Sequence, residues 1–267
     1  MRLAGSTWGD PAARPVILLH GGGQTRHAWR GTGATLARDG YFVLAYDARG
    51  HGDSDWDPAG RYDPDSLVAD LVEVVASLDG PPPALVGASM GGNTALIAVG
   101  EGSVLASALV LVDIAPVIEP VGQKRIHDFM SQDPDGFATL EEVADAIARY
   151  QPKRPRPAST EGLAKNVRLG NDGRYHWHWD PRILDGPADL TERQERLEEI
   201  SARLTVPTLL VRGGLSDLLS EEGARRFLKV CPQAAYVRVA DAAHMVAGDR
   251  NDAFTEAVTH YLDSLDL

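Results

Sequence analysis

Cysteine and positive charge are both scarce in this chain of 267 residues. Its one cysteine, Cys231, has no second cysteine with which to form an internal disulfide, so nothing in the sequence indicates an oxidising compartment. Lysine and arginine number 26 against 38 aspartates and glutamates, which gives a net charge of −12. Because nucleic acids are bound by clustered lysine and arginine, this balance disfavours a nucleic-acid partner. It argues more weakly against anionic membranes and strongly anionic substrates.

Long apolar runs are also missing. No run approaches the roughly 20 residues that span a bilayer, and residues 1–8 lack the apolar stretch of a signal peptide. We therefore expect a cytoplasmic protein that acts on a small-molecule substrate and has no membrane partner. The sequence indicates no oligomeric state. A hydrophobic content of 43% is nevertheless ample for a sizeable core.

Short apolar runs alternate with segments of helical periodicity. The runs at 15–20, 41–46, 84–86, 108–113 and 206–211 are nearly continuous, which is typical of strands that are covered on both faces. Between two of them, residues 65–78 have apolar side chains at helical spacing. This alternation predicts an α/β fold with a mainly parallel central sheet and helices on both faces.

The alternation stops between residues 116 and 203. Charged helical segments at 140–150 and 190–204 flank a proline-rich connector at 152–157. We interpret 116–203 as a helical lid, or cap, inserted into a core formed by residues 1–115 and 204–267. An apolar substrate pocket under this lid is predicted, lined by Trp29, Phe129, Trp177 and Trp179. The alternating aromatic residues at 175–179 are equally typical of a half-buried strand.

The sequence Gly-Ala-Ser-Met-Gly at 87–91 lies between an apolar strand and an apolar helix. This is the pattern of a nucleophile elbow, in which a serine occupies a sharp strand-to-helix turn. Such a turn forces the central residue into a strained backbone conformation, and the flanking glycines avoid collisions with neighbouring backbone. The pattern therefore predicts Ser89 as a nucleophile at the N-terminus of a helix.

A serine hydroxyl needs a general base before it becomes a useful nucleophile, and an imidazole suits that task near neutral pH. Of the eight histidines, His244 follows the last predicted strand, as the base does in folds with a Ser, Asp, His order. Asp217 follows a late strand and is predicted as the acid that orients the histidine. Two alternatives remain open: Asp113, at another strand end, could supply the acid, and Asp217 could cap the next helix.

An oxyanion intermediate requires two N–H donors. The residue after the nucleophile, Met90, is predicted to supply one, and Gly22 in the glycine-rich loop 21–23 the other. That loop could also be a simple tight turn. His176 and His178 lack the carboxylate or thiolate support of a metal pair, so we expect no metal and no cofactor.

Together these motifs resemble the α/β-hydrolase family of lidded, cofactor-free enzymes. The resemblance rests on residues 19–23, 47–54 and 87–92, with Asp217 and His244, and covers the chain outside the lid. It implies that loop 47–54 is structural, so that His51 is not catalytic. Serine at the elbow separates the chain from the epoxide hydrolases and haloalkane dehalogenases of this fold, which use an aspartate nucleophile.

The function expected from these residues is hydrolysis of an uncharged, moderately apolar ester or lactone through an acyl-enzyme on Ser89. Two alternatives stay open at this point. Related members of the family use the same triad for carbon–carbon bond hydrolysis or perhydrolysis, and others are small-molecule receptors with slow turnover.

Overall fold

The apolar runs of the sequence form the centre of a seven-stranded sheet. The computed structural model describes residues 1–151, 160–186, 191–249 and 251–265. Its strands are β1 (Gly5–Trp8), β2 (Arg14–Leu19), β3 (Tyr41–Tyr46), β4 (Ala84–Ala88), β5 (Ala108–Val112), β6 (Val167–Leu169), β7 (Tyr175–Trp177), β8 (Thr208–Gly213) and β9 (Ala235–Val239).

The main sheet has the strand order β1-β3-β2-β4-β5-β8-β9. Strand β1 is antiparallel to β3, and the other neighbouring pairs are parallel. Parallel neighbours require crossover connections, and these are made here by helices that cover both faces of the sheet. The prediction of an α/β fold with a mainly parallel sheet is confirmed.

Helices connect the strands and close the two faces of the sheet. Their bounds are α1 (Arg30–Arg38), α2 (Pro64–Ala76), α3 (Met90–Gly100), α4 (Pro120–Met130), α5 (Leu140–Tyr150), α6 (Thr191–Arg203), α7 (Glu221–Val230), α8 (Val246–Asp249) and α9 (Asn251–Asp263). Helices α2, α3, α6 and α7 contribute to the core on one face, and α1 and α9 to the core on the other. Of the helices that the structure describes, none reaches the length and hydropathy of a bilayer-spanning segment.

The chain leaves the sheet after β5 and builds a separate layer before it returns at β8. We call the described residues 116–151 and 160–186 of this layer the cap. Its helices α4 and α5 and its small antiparallel sheet β6-β7 enclose a hydrophobic cluster of their own: Met130, Phe137, Val143, Ala146, Val167, Trp177 and Trp179. The cap thus has its own packing centre beside the core.

The interval 116–203, predicted as one insertion, contains a helix that packs with the core. Helix α6 places Leu197 and Ile200 in the same hydrophobic cluster as α3. The side chain of Ile200 lies so close to Gly100 that a Cβ there would collide with it. The proline-rich connector at 152–157 and the predicted helix start at 190 lie outside the described residues.

Candidate active site

Ser89 occupies the turn between β4 and α3, with φ 47° and ψ −111°. A non-glycine residue in this region is strained and persists only where its surroundings hold it. The flanking glycines show what holds it: a Cβ on Gly87 would lie 2.5 Å from the carbonyl oxygen of Gly91, and a Cβ on Gly91 would lie 2.5 Å from that of Leu19. The backbone is therefore packed too tightly for any other residue at these two positions.

His244 follows β9 and reaches the same edge of the sheet as Ser89. Its Nδ1 lies 2.7 Å from Oδ2 of Asp113, and both His244 and Ser89 line one cavity. Because Nδ1–H donates to the carboxylate, Nε2 is the nitrogen available to accept a proton. Asp113 is completely buried, so its charge is directed at the histidine rather than at water.

Asp217, the acid chosen from the sequence, lies elsewhere. Its side chain is about one-third exposed and forms an ion pair of 2.9 Å with Arg125 of helix α4. The contact between Asp113 and His244 corrects the sequence-based choice. Strands β5 and β8 are parallel neighbours, so the loops that carry the two aspartates leave the sheet at the same edge. Sequence order alone could not decide between them.

Two further donors hold the carboxylate of Asp113. The N–H of Gly213 donates to Oδ1 over 2.9 Å, and the hydroxyl of Ser216 donates to Oδ2 over 2.5 Å. The Ser216 oxygen itself accepts the N–H groups of Leu218 and Leu219 at 3.1 and 3.2 Å. With both lone pairs used, its proton points at Asp113. Sequence reasoning missed Ser216, although it lies next to the aspartate that it singled out.

Gly22 and Met90 are the two residues whose N–H groups are predicted as the oxyanion donors. Met90 is the first residue of α3, so its N–H has no partner within the helix. Gly22 lines the cavity, and a Cβ on its neighbour Gly21 would lie 3.4 Å from Cβ of Ser89. Among the described residues, none accepts the N–H of Gly22. The oxyanion role of these two N–H groups remains a prediction.

The N–H groups on either side of Gly22 are engaged in holding the loop. That of Gly21 donates to Oε1 of Gln24 over 3.1 Å, and that of Gly23 donates to Nε2 of His51 over 3.2 Å. His51 therefore helps to hold the glycine-rich loop in place through its hydrogen bond with Gly23. This contact agrees with the structural role that the family resemblance implied for residues 47–54.

Three buried histidines, His20, His51 and His178, join this loop to the rest of the molecule. Their ring centroids are 5.1 Å apart for the first pair and 6.0 Å for the second. Burial lowers the pKa of all three, that of His178 to about 3. Each ring accepts one backbone N–H: Ala48 donates to His20, Gly23 to His51 and Gly52 to His178. The neutral rings thus act as acceptors that tie two core loops and the cap together.

His176 and His178, which alternate along the chain, have different partners. Nε2 of His176 lies 2.8 Å from Oδ2 of Asp172, whereas His178 turns towards the core loop at Gly52. Among the described residues, no group of three or more potential ligands is arranged to hold a metal ion.

The cavity has a volume of about 180 Å³ and two contrasting walls. Ser89, His244 and the glycine-rich loop form the core wall. The cap supplies an apolar wall in which the rings of Trp177 and Trp179 stack with centroids 4.8 Å apart. Among the described residues, the apolar cap residues in this wall are Ile126, Phe129, Ile147, Tyr150, Trp177 and Trp179.

Three of the four predicted pocket residues, Phe129, Trp177 and Trp179, therefore line the cavity. Trp29 does not. It is 1% exposed and packs in the core, with its ring centroid 5.8 Å from that of Phe254 in α9. The sequence shows that Trp29 is apolar, but only the packing of the 26–29 turn onto α9 decides which way it faces.

Comparison with known proteins agrees with this fold. The family model of the alpha/beta hydrolase fold matches residues 14–250. The chain is 28% identical to Esterase Rv0045c of Mycobacterium tuberculosis over 96% of this chain and 85% of the relative. It is 27% identical to the mouse sn-1-specific diacylglycerol lipase ABHD11, over 95% and 82% of the two chains.

Among solved structures, E-2-(acetamidomethylene)succinate hydrolase superposes with a TM-score of 0.84 over 98% of this chain and 95% of that one. At 23% identity this likeness shows the fold alone. The family match, the two relatives and the shared architecture lead to one conclusion: the chain belongs to the alpha/beta hydrolase fold family and is a hydrolase of that family.

Proposed function

We propose that this hydrolase cleaves carboxylic esters or lactones with a moderately apolar acyl group, through an acyl-enzyme on Ser89. The observation that supports it is the hydrogen bond between His244 and the buried Asp113 beside a strained serine on one cavity. A carboxylate that holds an imidazole, with a serine on the same cavity, is the combination of groups that can activate a hydroxyl.

In the proposed reaction, Oγ of Ser89 attacks the ester carbonyl while Nε2 of His244 takes its proton. The resulting oxyanion accepts hydrogen bonds from the N–H groups of Gly22 and Met90. His244 then gives the proton to the leaving alkoxide oxygen, and the carbon–oxygen bond breaks. A water molecule, deprotonated by His244, attacks the acyl-enzyme and releases the carboxylic acid and free Ser89.

The apolar cap wall fits the proposed acyl group. Stacked tryptophans offer a large apolar surface and exclude water from the reacting carbonyl, which strengthens the electrostatic contacts made in the transition state. The two relatives carry the names of an esterase and a lipase, and both activities cleave ester bonds.

The decisive test is Ser89→Ala measured on p-nitrophenyl butyrate. We expect steady-state turnover and labelling by a fluorophosphonate both to disappear, while the melting temperature stays close to that of the unchanged protein. Ser77→Ala, at an exposed serine that ends α2, serves as the matched control. Activity that survives in Ser89→Ala contradicts the proposal, and a single stoichiometric burst in the unchanged protein indicates a slow-turnover receptor instead.

A further inference from the structure

One part of the cavity wall is polar and carries a positive charge. Lys165 and Asn166, at the end of a short cap helix, lie there with Gln151 and His27. The described residues of the wall include no aspartate or glutamate. For a chain with a net charge of −12, this is a local reversal of sign. A cleft lined by one sign of charge sets the local potential even where the molecule as a whole has the opposite sign.

Lys165 differs from the other cations near the cavity because it has no counter-ion among the residues that the structure describes. Arg26 pairs with Asp47 and Asp53, and Arg125 pairs with Asp217. None of the carboxylates that the structure describes forms an ion pair with Lys165, whose side chain is exposed at the cavity mouth. Its charge is therefore available to a ligand.

The neighbours of Lys165 add hydrogen-bonding groups without adding charge. The pKa of His27 is lowered, first by partial burial and then by the charges of Arg26 and, further down, Lys165. His27 is consequently neutral at physiological pH, and one of its ring nitrogens carries an N–H. The amides of Gln151 and Asn166 can donate as well. One positive charge among neutral donors suits a monoanion, and a carboxylate is a monoanion that accepts hydrogen bonds from both a cation and amide donors.

We propose that Lys165, with Asn166, Gln151 and His27, binds a carboxylate on the substrate, so that the enzyme acts on esters that carry a free acid group. This inference rests on the proposed ester hydrolysis at Ser89 and specifies its substrate class. It changes the sequence-based expectation of an uncharged substrate. That expectation came from the average charge of the chain, whereas the substrate meets the charge of the cavity wall.

The test compares pairs of esters that differ by one carboxylate. On the acyl side, mono-p-nitrophenyl glutarate is compared with p-nitrophenyl pentanoate. On the alcohol side, 3-carboxy-4-nitrophenyl pentanoate is compared with p-nitrophenyl pentanoate. In at least one pair we expect kcat/KM to favour the acidic ester, and Lys165→Met to lower this preference about fivefold, in the range of an exposed ion pair. Lys165→Glu should reverse the preference, and added salt should weaken it.

Lys229→Met is the matched control, because it removes the same charge from an exposed position of α7 away from the cavity. It should leave both preferences unchanged. Lys165→Met should change kcat/KM for the neutral ester less than it changes kcat/KM for the acidic ester, because only the acidic ester carries the group that Lys165 binds. An equal preference in Lys165→Met and the unchanged protein overturns the carboxylate site. If the unchanged protein hydrolyses none of these esters, the proposed function itself is contradicted.

A binding measurement decides the matter without turnover. In Ser89→Ala, the fluorescence of Trp177 and Trp179 reports the binding of glutaric acid monoanilide and of the neutral pentananilide. We expect the acid to bind more tightly and Lys165→Met to remove about fivefold of that difference. Equal affinities for the acid and the neutral amide contradict the inference whatever the esterase assay gives.

Discussion

The two walls of the cavity are held in place in different ways. Behind the core wall, buried hydrogen bonds fix the carboxylate that contacts His244: Asp113 accepts from Gly213, Ser216 and His244, and is fully buried. On the cap wall, aromatic rings pack on one another, and the ion pair between Arg125 and Asp217 that joins cap to core is partly exposed. The core wall therefore holds the reacting groups in a fixed geometry, whereas the cap wall sets the shape and size of the space for the substrate.

Asp113 and Asp217, which follow the neighbouring strands β5 and β8, show this difference most clearly. Asp113 contacts the histidine and is shielded from water. Asp217 contacts Arg125 of the cap, and water screens its charge because its side chain is partly exposed. Their chemistry is identical, so their roles differ only through burial and partners.

Replacing Asp113 by Asn should lower kcat/KM on p-nitrophenyl butyrate by about 10³–10⁴-fold, the size of effect seen when other serine triads lose their carboxylate. The amide cannot stabilise the imidazolium and favours the wrong tautomer. Asp217→Asn should change kcat less than about threefold, because a partly exposed ion pair contributes little. Its effect should fall on KM for long-chain esters, since Arg125 also lies over the ring of Tyr150 in the cavity wall.

Both variants should retain the far-UV spectrum of the unchanged protein, which separates a catalytic from a folding defect. A larger loss of kcat in Asp217→Asn than in Asp113→Asn would mean that the two loops exchange roles in solution.

Replacing Ser216 by Ala should lower kcat about tenfold, because a hydrogen bond to a charged group stabilises by roughly 1.5–3 kcal/mol and part of it is replaced by water. Ser216→Thr keeps the hydroxyl and should restore most of the activity. The measurement is kcat together with the melting temperature of each variant. If Ser216 only shapes its turn, Ala will lower the melting temperature and leave kcat unchanged.

A separate effect, on stability rather than on catalysis, concerns the contact between cap and core, where His178 of the cap accepts the N–H of Gly52. Its pKa is about 3 in the folded protein and about 6.5 in the unfolded chain. Above pH 6.5 the ring is neutral in both states, and its contribution to stability is fully present. Below pH 6.5 only the unfolded chain takes up the proton, so unfolding becomes easier by roughly 1.4 kcal/mol per pH unit until about pH 3.

His178→Asn keeps an acceptor but cannot take up the proton, so the unfolding free energy should fall less steeply between pH 6.5 and pH 4.5 than in the unchanged protein. His260→Asn, at an exposed histidine of α9, is the matched control and should keep the original slope. Denaturant unfolding at several pH values measures how the unfolding free energy of each protein depends on pH. Equal slopes in all three proteins would mean that His178 is accessible to protons in the folded state.

Much of the core could be predicted because its signals are local. Strand β3 and helix α5 have the predicted bounds, since each is encoded by the pattern of apolar and polar residues within its own segment. The elbow at Ser89 could also be predicted, because glycines occupy the two positions where a side chain would collide with neighbouring backbone. The pairing of β6 with β7 depends on contacts between segments, and the sequence left open only that the aromatic residues at 175–179 form a half-buried strand.

The sequence by itself determined the order of strands and helices, the strained serine and a histidine after the last strand, because periodicity and glycine placement act over a few neighbouring residues. Only the tertiary structure decided which aspartate faces His244, that Trp29 belongs to the core, and that Lys165 lies at the cavity without a described counter-ion. These outcomes depend on which loops meet at one edge of a parallel sheet. Residues far apart in the chain acquire their partners and burial there, and these determine what each side chain can do.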